Sequence, residues 1–512
     1  MKRSTNIFLV IVLLGVVLRI YRLDALSIWI DELFTLLMVS DYFNYIVHYL
    51  AYTPGMFNNV NSPLFTGYLW HGLNMHQPLY FTILAYVSRF FGMSIIHFRL
   101  VSALFGIGSV VVMYYFTRLL YVKKVALLSS FLLAVSPIHV LYAQEARPYT
   151  IVIFFFLCAS YFFYRAVHEN EWHLWMLYVF FTFLALLSHT YAYFYTFSHF
   201  LYFFSPRGFS SLEGKRYISC LLLIVVLLLP WLPHLYYQQK FAFTVFNLQR
   251  NVNLIAGFHY LNVLAYVLGM FITFAFGKTL IDETTALPLL GIGFLVFILL
   301  YGVAYYKGMR KNFGEKEIFL LYIMLVPIVI TFVPTFFTST NLLVLRYLLI
   351  SSLPFLIFVA RGIMSYPKKV AMFTLLCIMV LSSVSLSRYY SQSVVTKAPY
   401  REVSDFIVQN QKSGDAIMVR VPLFKYALLY YHPELSVIEL GKWETKHIHE
   451  VDLQPIVPLF GQYDRYWVMV SHTYDEDKLN SFFSKYATLE KKWESPGVNL
   501  YLYRHFRNLP PV

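Results

Sequence analysis

The chain has 512 residues, 59% of them hydrophobic, 20% aromatic and only 13% charged, with a mean hydropathy of +0.60. This composition excludes a soluble globular domain and predicts a polytopic α-helical membrane protein, since repeated apolar stretches of roughly 17 to 25 residues read as transmembrane helices. The net charge of +14 marks cytoplasmic loops and anionic headgroups, not a nucleic-acid partner.

Lys2 and Arg3 place the N-terminus in the cytoplasm, and an uncleaved first helix, about 6–22, crosses outward. From Leu23 to Ser88 there is no Lys or Arg, while Asp24, Asp31, Glu32 and Asp41 are present, so this stretch is expected outside. Its apolar piece, Pro78–Gly92, is short for a span and carries Arg89. It reads as a helix lying on the outer surface. The second span (about 98–121) then leads in to Lys123 and Lys124, and the third (about 125–142) returns outward to Gln144-Glu145-Ala146-Arg147.

The fourth span ends inside at Arg165, the fifth (about 173–188) exits at Ser188-His189-Thr190, and the sixth re-enters to Arg207, Lys215 and Arg216. The seventh (217–237) ends outside, before a long segment, 238–285, with a second surface helix around 255–277. Spans at 286–306, 318–336, 342–361 and 370–388 complete about 11 transmembrane helices, and every basic cluster between spans lands in the cytoplasm. All three cysteines, Cys158, Cys220 and Cys377, lie in apolar runs, so no disulfide framework is implied.

After Tyr390 the composition turns charged and mixed, which divides the chain into a membrane domain, 1–390, and an extracytoplasmic domain, 391–512. Within the latter, 400–411, 424–431 and 477–486 read as helices, and 416–421, 436–440 and 466–471 as strands. The halves flanking Ser495-Pro496-Gly497 read as a hairpin. The expected product is a small α/β domain.

Ionisable groups at membrane depth are expensive, and a chain that keeps them there usually uses them. The expected topology gathers Asp31, Glu32, His76, Glu145, Arg147, His189 and Arg346 at the outer face. Asp31 and Glu32 stand between Trp29 and Phe34, a half-apolar setting in which a carboxylate can act as a general base. Glu145 can orient an acceptor or hold a metal, and Arg147 can grip a phosphate with two prongs and permanent charge. Arg346, beside Tyr347, and Arg99 are further candidates for a lipid phosphate. His76 and His189 with Asp31 and Glu145 allow a divalent cation, though their spacing follows no standard metal motif. No P-loop, dinucleotide fingerprint, Gly-x-Ser-x-Gly or Cys-pair metal site is present.

Taken in order, these strings resemble the GT-C superfamily of membrane glycosyltransferases. Within it they are similar to the prokaryotic branch related to protein O-mannosyltransferases and the lipid A aminoarabinose transferase. The resemblance rests on Trp29-Ile-Asp31-Glu32, His76-Gln-Pro78-Leu-Tyr80, Phe98-Arg99-Leu-Val-Ser102, Ser136-Pro137, Tyr142-Ala-Gln144-Glu145-Ala-Arg147-Pro-Tyr149, Leu187-Ser-His189-Thr-Tyr191 and Arg346-Tyr347. Many members carry His-Pro-Pro where this chain has His76-Gln77-Pro78.

The resemblance implies a GT-C fold in the plasma (inner) membrane and transfer of a sugar, with inversion, from a polyprenyl-phosphate donor. The acceptor is a lipid, glycan or protein at the outer face. It implies Asp31 as the base, Glu32 as its assistant and Glu145 as the residue that positions the acceptor or a cation. Arg147 and Arg346 are implied to stabilise the leaving phosphate, with His76, Arg99, Gln144, Tyr149, His189 and Tyr347 lining the substrate site. The alternative is a polytopic transporter or lipid flippase. That class places its sites near the midplane within repeated halves, and this chain shows no internal repeat.

Overall fold

The computed structural model describes residues 2–40, 76–205, 211–232, 235, 259–280, 287–338, 342–392, 397–421, 423–440, 453–471, 476–495 and 497–505. They fall into two compact units, the first from 1–23, 38–51 and 71–394, the second from 24–37, 52–70 and 395–512. The acidic segment near the N-terminus therefore folds with the C-terminal residues, a grouping that the division at 390/391 does not contain.

The first unit is helical. Its elements are α1 (Lys2–Ile20), the end of α2 (Ile30–Ser40), α3 (Pro78–Phe91), α4 (Ile95–Leu120), α5 (Lys123–Val135) and α6 (Pro137–Ala143). They continue through α7 (Tyr149–Glu169), α8 (Trp172–Leu186), α9 (Ala192–Phe203), α10 (Ser211–Leu228), α11 (His259–Phe276) and α12 (Leu287–Phe297). A π turn, Ile298–Gly302, joins α12 to α13 (Val303–Arg310), and α14 (Glu315–Phe337), α15 (Ser352–Ile363) and α16 (Lys368–Tyr390) complete the unit. Five helical stretches among the described residues are long and apolar enough to cross a membrane, or six if the bent pair α5–α6 counts as one span. Four shorter apolar helices, at Ser4–Ile20, Trp172–Leu186, Tyr260–Phe276 and Leu349–Ile363, add to them.

Two of the expected spans depart furthest from the simple helices that hydropathy suggests. The third, about 125–142, bends by 58° between α5 and α6. The cause is Pro137, whose ring nitrogen has no hydrogen for the carbonyl four residues back. The tenth, expected to open at 342, begins instead with two 3-10 turns, Leu345–Tyr347 and Leu349–Ser351, before α15 starts at Ser352.

Close helix approach is most pronounced between α13 and α15. A methyl on Gly308 would overlap the Phe358 carbonyl, and one on Gly362 would overlap the Ala304 carbonyl. Ala304 and Gly308 are four residues apart, the small-residue spacing that lets helix backbones touch in membranes.

The second unit contains most of α2, α17 (Tyr400–Asn410), β1 (Asp415–Val419), α18 (Leu423–Tyr431) and β2 (Val437–Glu439). It ends with β3 (Arg465–Ser471), α19 (Glu476–Phe483), β4 (Ala487–Ser495) and β5 (Val498–His505). The five strands run in the order β2-β1-β3-β5-β4, with β1 parallel to β2 and β3, and β5 antiparallel to β3 and β4. The expected helices and strands lie within one residue of the observed ends, apart from the C-terminal ends of β1, two residues short of the 416–421 reading, and of α19, three short of 477–486.

Asp415 and Arg465 pair across β1 and β3. Arg465 donates Nε to Oδ1 at 2.9 Å and Nη2 to Oδ2 at 2.6 Å, and Trp467 Nε1 donates to Oδ2 at 2.9 Å. Burial opposes ionisation of Asp415, but hydrogen bonds from Arg465, the Lys412 amide and Trp467 together hold its carboxyl below the usual range. Met418, Tyr466, Val468, Phe482, Phe483 and Tyr501 form the core beneath the sheet.

Candidate functional site

The bend at Pro137 builds the site. In an unbroken helix the Leu133 and Ala134 carbonyls would accept from the amides of residues 137 and 138. Here Arg19, at the end of α1, replaces those donors: Nη2 reaches Leu133 O at 3.1 Å and Nη1 reaches Ala134 O at 3.0 Å. Arg19 is 1% exposed, and its guanidinium lies beside Gly15 and Gly106, at the second of which a Cβ would crowd it. In return, Gln144 Nε2 donates to the carbonyls of Arg19 at 3.1 Å and Tyr21 at 2.8 Å. The end of α1 and the elbow of α5–α6 thus lock each other.

The elbow delivers Gln144–Pro148, a non-helical link between α6 and α7. Arg147 N–H donates to Glu145 O at 2.8 Å, a three-residue turn around Ala146. From α4, Ser102 Oγ donates to Arg147 O at 3.3 Å, and Thr150 Oγ1 donates to Ser102 O at 2.7 Å. Tyr80 OH lies 2.7 Å from the same Ser102 hydroxyl. Arg99, fully buried, donates to Leu23 O at 3.0 Å. Gln144 and Arg99 are therefore tied to backbone carbonyls of the first unit.

Around this link the structure gathers charged and aromatic groups. Glu145 and Arg147 are 4% and 3% exposed. Arg147 Nη2 donates to His76 Nε2 at 3.1 Å. His189 accepts the Tyr191 amide on Nδ1 at 3.1 Å, and its ring lies within electrostatic reach of both Arg147 and Arg346. Arg346 stands 5.4 Å from the centre of the Tyr347 ring, which sits 4.8 Å from His189 and 6.2 Å from Tyr149. Tyr142 stacks edge-on against Tyr149 at 5.1 Å and senses both Glu145 and Arg346. His76, Glu145, Arg147, Tyr149, His189, Arg346 and Tyr347 thus form one cluster in the first unit.

One member of this cluster was not singled out by sequence. Lys278 Nζ lies 5.1 Å from the centre of the Tyr142 ring. The signal was available: Lys278 is the sole Lys or Arg between residues 251 and 306. Two guanidiniums and an ammonium around an aromatic wall, beside one carboxylate, make an anion-binding environment with a group able to orient a hydroxyl.

Asp31 and Glu32 belong to the second unit, in the first turn of α2. Glu32 is fully buried, and its Oε2 pairs with Lys397 Nζ at 3.3 Å. Among the described residues no group of three or more His, Cys, Asp or Glu side chains is arranged to hold a metal ion, so the divalent cation allowed by the sequence finds no such cluster there.

Residues 75–237 match the family model of dolichyl-phosphate-mannose-protein mannosyltransferases, which takes in His76, Arg99, the 144–149 link and His189. No curated protein matches the chain by sequence. Among solved structures, ArnT from Cupriavidus metallidurans in the apo state superposes with a TM-score of 0.57 at 11% identity, covering 98% of each chain. The same protein bound to undecaprenyl phosphate gives 0.54 at 11% identity, covering 98% of this chain and 97% of that one. AglB, the oligosaccharyltransferase of Archaeoglobus fulgidus in complex with an inhibitory peptide and a dolichol-phosphate, gives 0.52 at 12% identity, covering 99% of this chain and 75% of that one. At such identities the likeness is one of fold.

Proposed function

Because this chain carries the fold of the GT-C superfamily of membrane glycosyltransferases, we propose that it is an inverting glycosyltransferase. In this reading it moves a sugar from a polyprenyl-phosphate donor to a lipid, glycan or protein acceptor at the extracytoplasmic membrane face. The observation that carries the reading is the cluster in which Glu145 and Arg147, delivered by the end of a broken helix, and His189 are buried beside a half-buried Arg346. Its chemistry suits a phosphate leaving group, and one of its structural neighbours binds undecaprenyl phosphate and another a dolichol-phosphate.

Asp31 takes the proton of the acceptor hydroxyl, and Glu32 assists. The oxygen attacks the anomeric carbon from the face opposite the phosphate, and the bond from that carbon to the phosphate oxygen breaks. The leaving phosphate gains negative charge as this happens. Arg147 and Arg346 meet that charge with fixed donors, the device that contributes most to many such transition states. Glu145 orients the acceptor, and Tyr149, His189 and Tyr347 offer the flat surfaces on which a sugar ring packs.

The test is direct. Purified protein in lipid is incubated with a panel of polyprenyl-phosphate sugars, with release of lipid phosphate as the readout. Release that depends on one donor and on an added membrane extract as acceptor source supports the reading. No release with any donor, from folded protein, overturns it.

A further inference from the structure

The acidic pair of the second unit is held by residues from the far end of the chain. Ile28 N–H donates to Tyr431 OH at 2.7 Å, and the Arg401 amide donates to Ser27 Oγ at 3.0 Å. Arg401 also pairs with Asp24 at 3.4 Å, an exposed contact of small energetic weight. The contact between Glu32 and Lys397 differs in kind. Glu32 is 0% exposed and Lys397 8%, and the ammonium lies 3.3 Å from Oε2 and 5.8 Å from the centre of the Trp29 ring.

A buried ion pair contributes little net stability against a well-packed apolar pair, because both ions lose their hydration. Such a pair is better explained by what it fixes than by what it stabilises. Here it fixes the first turn of α2, where Asp31 and Glu32 are neighbours in sequence and backbone. The Thr35 hydroxyl closes the same turn by donating to Asp31 O at 3.1 Å. Glu32 is thereby committed to an ammonium, which gives it the role of anchor and leaves that of proton acceptor to Asp31.

We propose that Lys397 is a positioning residue: it anchors Glu32 and so sets the orientation of Asp31, which makes the C-terminal residues part of the acceptor side of the reaction. The proposal rests on the glycosyl-transfer reading for the role of Asp31. Its geometric half, that Lys397 orders the first turn of α2, stands apart from that reading.

The experiment uses the full chain with four versions: wild type, Lys397→Arg, Lys397→Met, and the double variant Glu32→Gln with Lys397→Met. Removing one partner leaves a buried charge alone and threatens folding, whereas the double variant removes both charges and folds. Amide exchange over residues 30–37 is read on every version, and turnover on each folded, donor-binding sample. The expected result is at least tenfold faster exchange in this turn for Lys397→Met and the double variant. A kcat at least tenfold down in the double variant with donor affinity unchanged, and recovery of both readouts in Lys397→Arg, complete the pattern. Wild-type turnover in the double variant, or wild-type exchange in Lys397→Met, overturns the proposal. Absence of turnover in the wild type itself overturns the glycosyl-transfer reading instead, and the exchange result then still decides whether Lys397 orders the turn.

Discussion

Arg147 and His76 are joined by a hydrogen bond of 3.1 Å, and its direction is fixed. Guanidinium nitrogens only donate, so His76 Nε2 accepts and its neutral ring carries the proton on Nδ1. The histidine is thereby a holder of the arginine. Replacing His76 with Ala removes one hydrogen bond, worth about 1 kcal/mol net, or roughly fivefold in donor affinity. Isothermal binding of a polyprenyl phosphate to the variant measures this, and Gln in place of His, which keeps an acceptor, recovers part of it.

Lys in place of Arg147 or Arg346 exchanges a two-pronged donor for a point charge. Loss of one such contact at a developing charge costs about 2–4 kcal/mol, or about 30- to 1000-fold in rate. Turnover on folded, donor-binding protein is the measure. Normal turnover in both Ala variants would remove these residues from the phosphate site.

Asp31→Asn keeps shape and polarity but cannot take a proton. Removal of a general base costs about 100- to 10,000-fold in turnover, with donor affinity little changed. Glu32→Gln lowers turnover less and stability more, since Lys397 then lies buried opposite a neutral group. Near-normal turnover in a well-folded Asp31→Asn protein moves the role of base to Glu145.

Arg19→Met leaves the Leu133 and Ala134 carbonyls without their donors at a buried bend. Each such loss costs about 1–3 kcal/mol. A large drop in the thermal midpoint in detergent is expected, with Arg19→Lys intermediate. Gly106→Ala falls in the same direction, because its methyl would stand 2.9 Å from Ala143 Cβ and 3.2 Å from Arg19 Nε.

In the second unit, His432 lies between Asp405, 2.8 Å from Nε2, and Glu434, 2.9 Å from Nδ1. The hydrogen bond to Asp405, and then that to Glu434, raise its pKa above the ordinary 6.5. A raised folded value means that its contribution is complete below about 6.5 and fades as pH rises through the folded value. His432→Gln is therefore expected to flatten the pH dependence of the thermal midpoint across that window. An NMR titration of the histidine gives the folded value itself.

The second unit was the more legible part. Its central strands β1 and β3 are largely apolar over short lengths bounded by turn residues, and Gly497, at φ 84°, sits in the hairpin where Pro-Gly marked it. The bend at Ser136-Pro137 was not read, although the dipeptide was noticed. Hydropathy is continuous across it, and its compensating donor is Arg19, more than 110 residues away. The pairing of Glu32 with Lys397 spans 365 residues, a separation at which no local pattern carries information. The cluster of Glu145, Arg147 and His189 was legible because charge at membrane depth is conspicuous. Lys278 stands 136 residues from Tyr142, and no local pattern ties it to that ring.

The touching backbones of α13 and α15 invert the usual sense of a conservative change. To any scale of polarity, alanine for Gly308 or Gly362 is the mildest exchange available. In this helix crossing it meets main-chain atoms that no rotamer can move aside. Variation in this membrane unit is thus restricted by volume at its least polar positions, and a survey of tolerated substitutions would find intolerance where a hydropathy plot shows nothing at all.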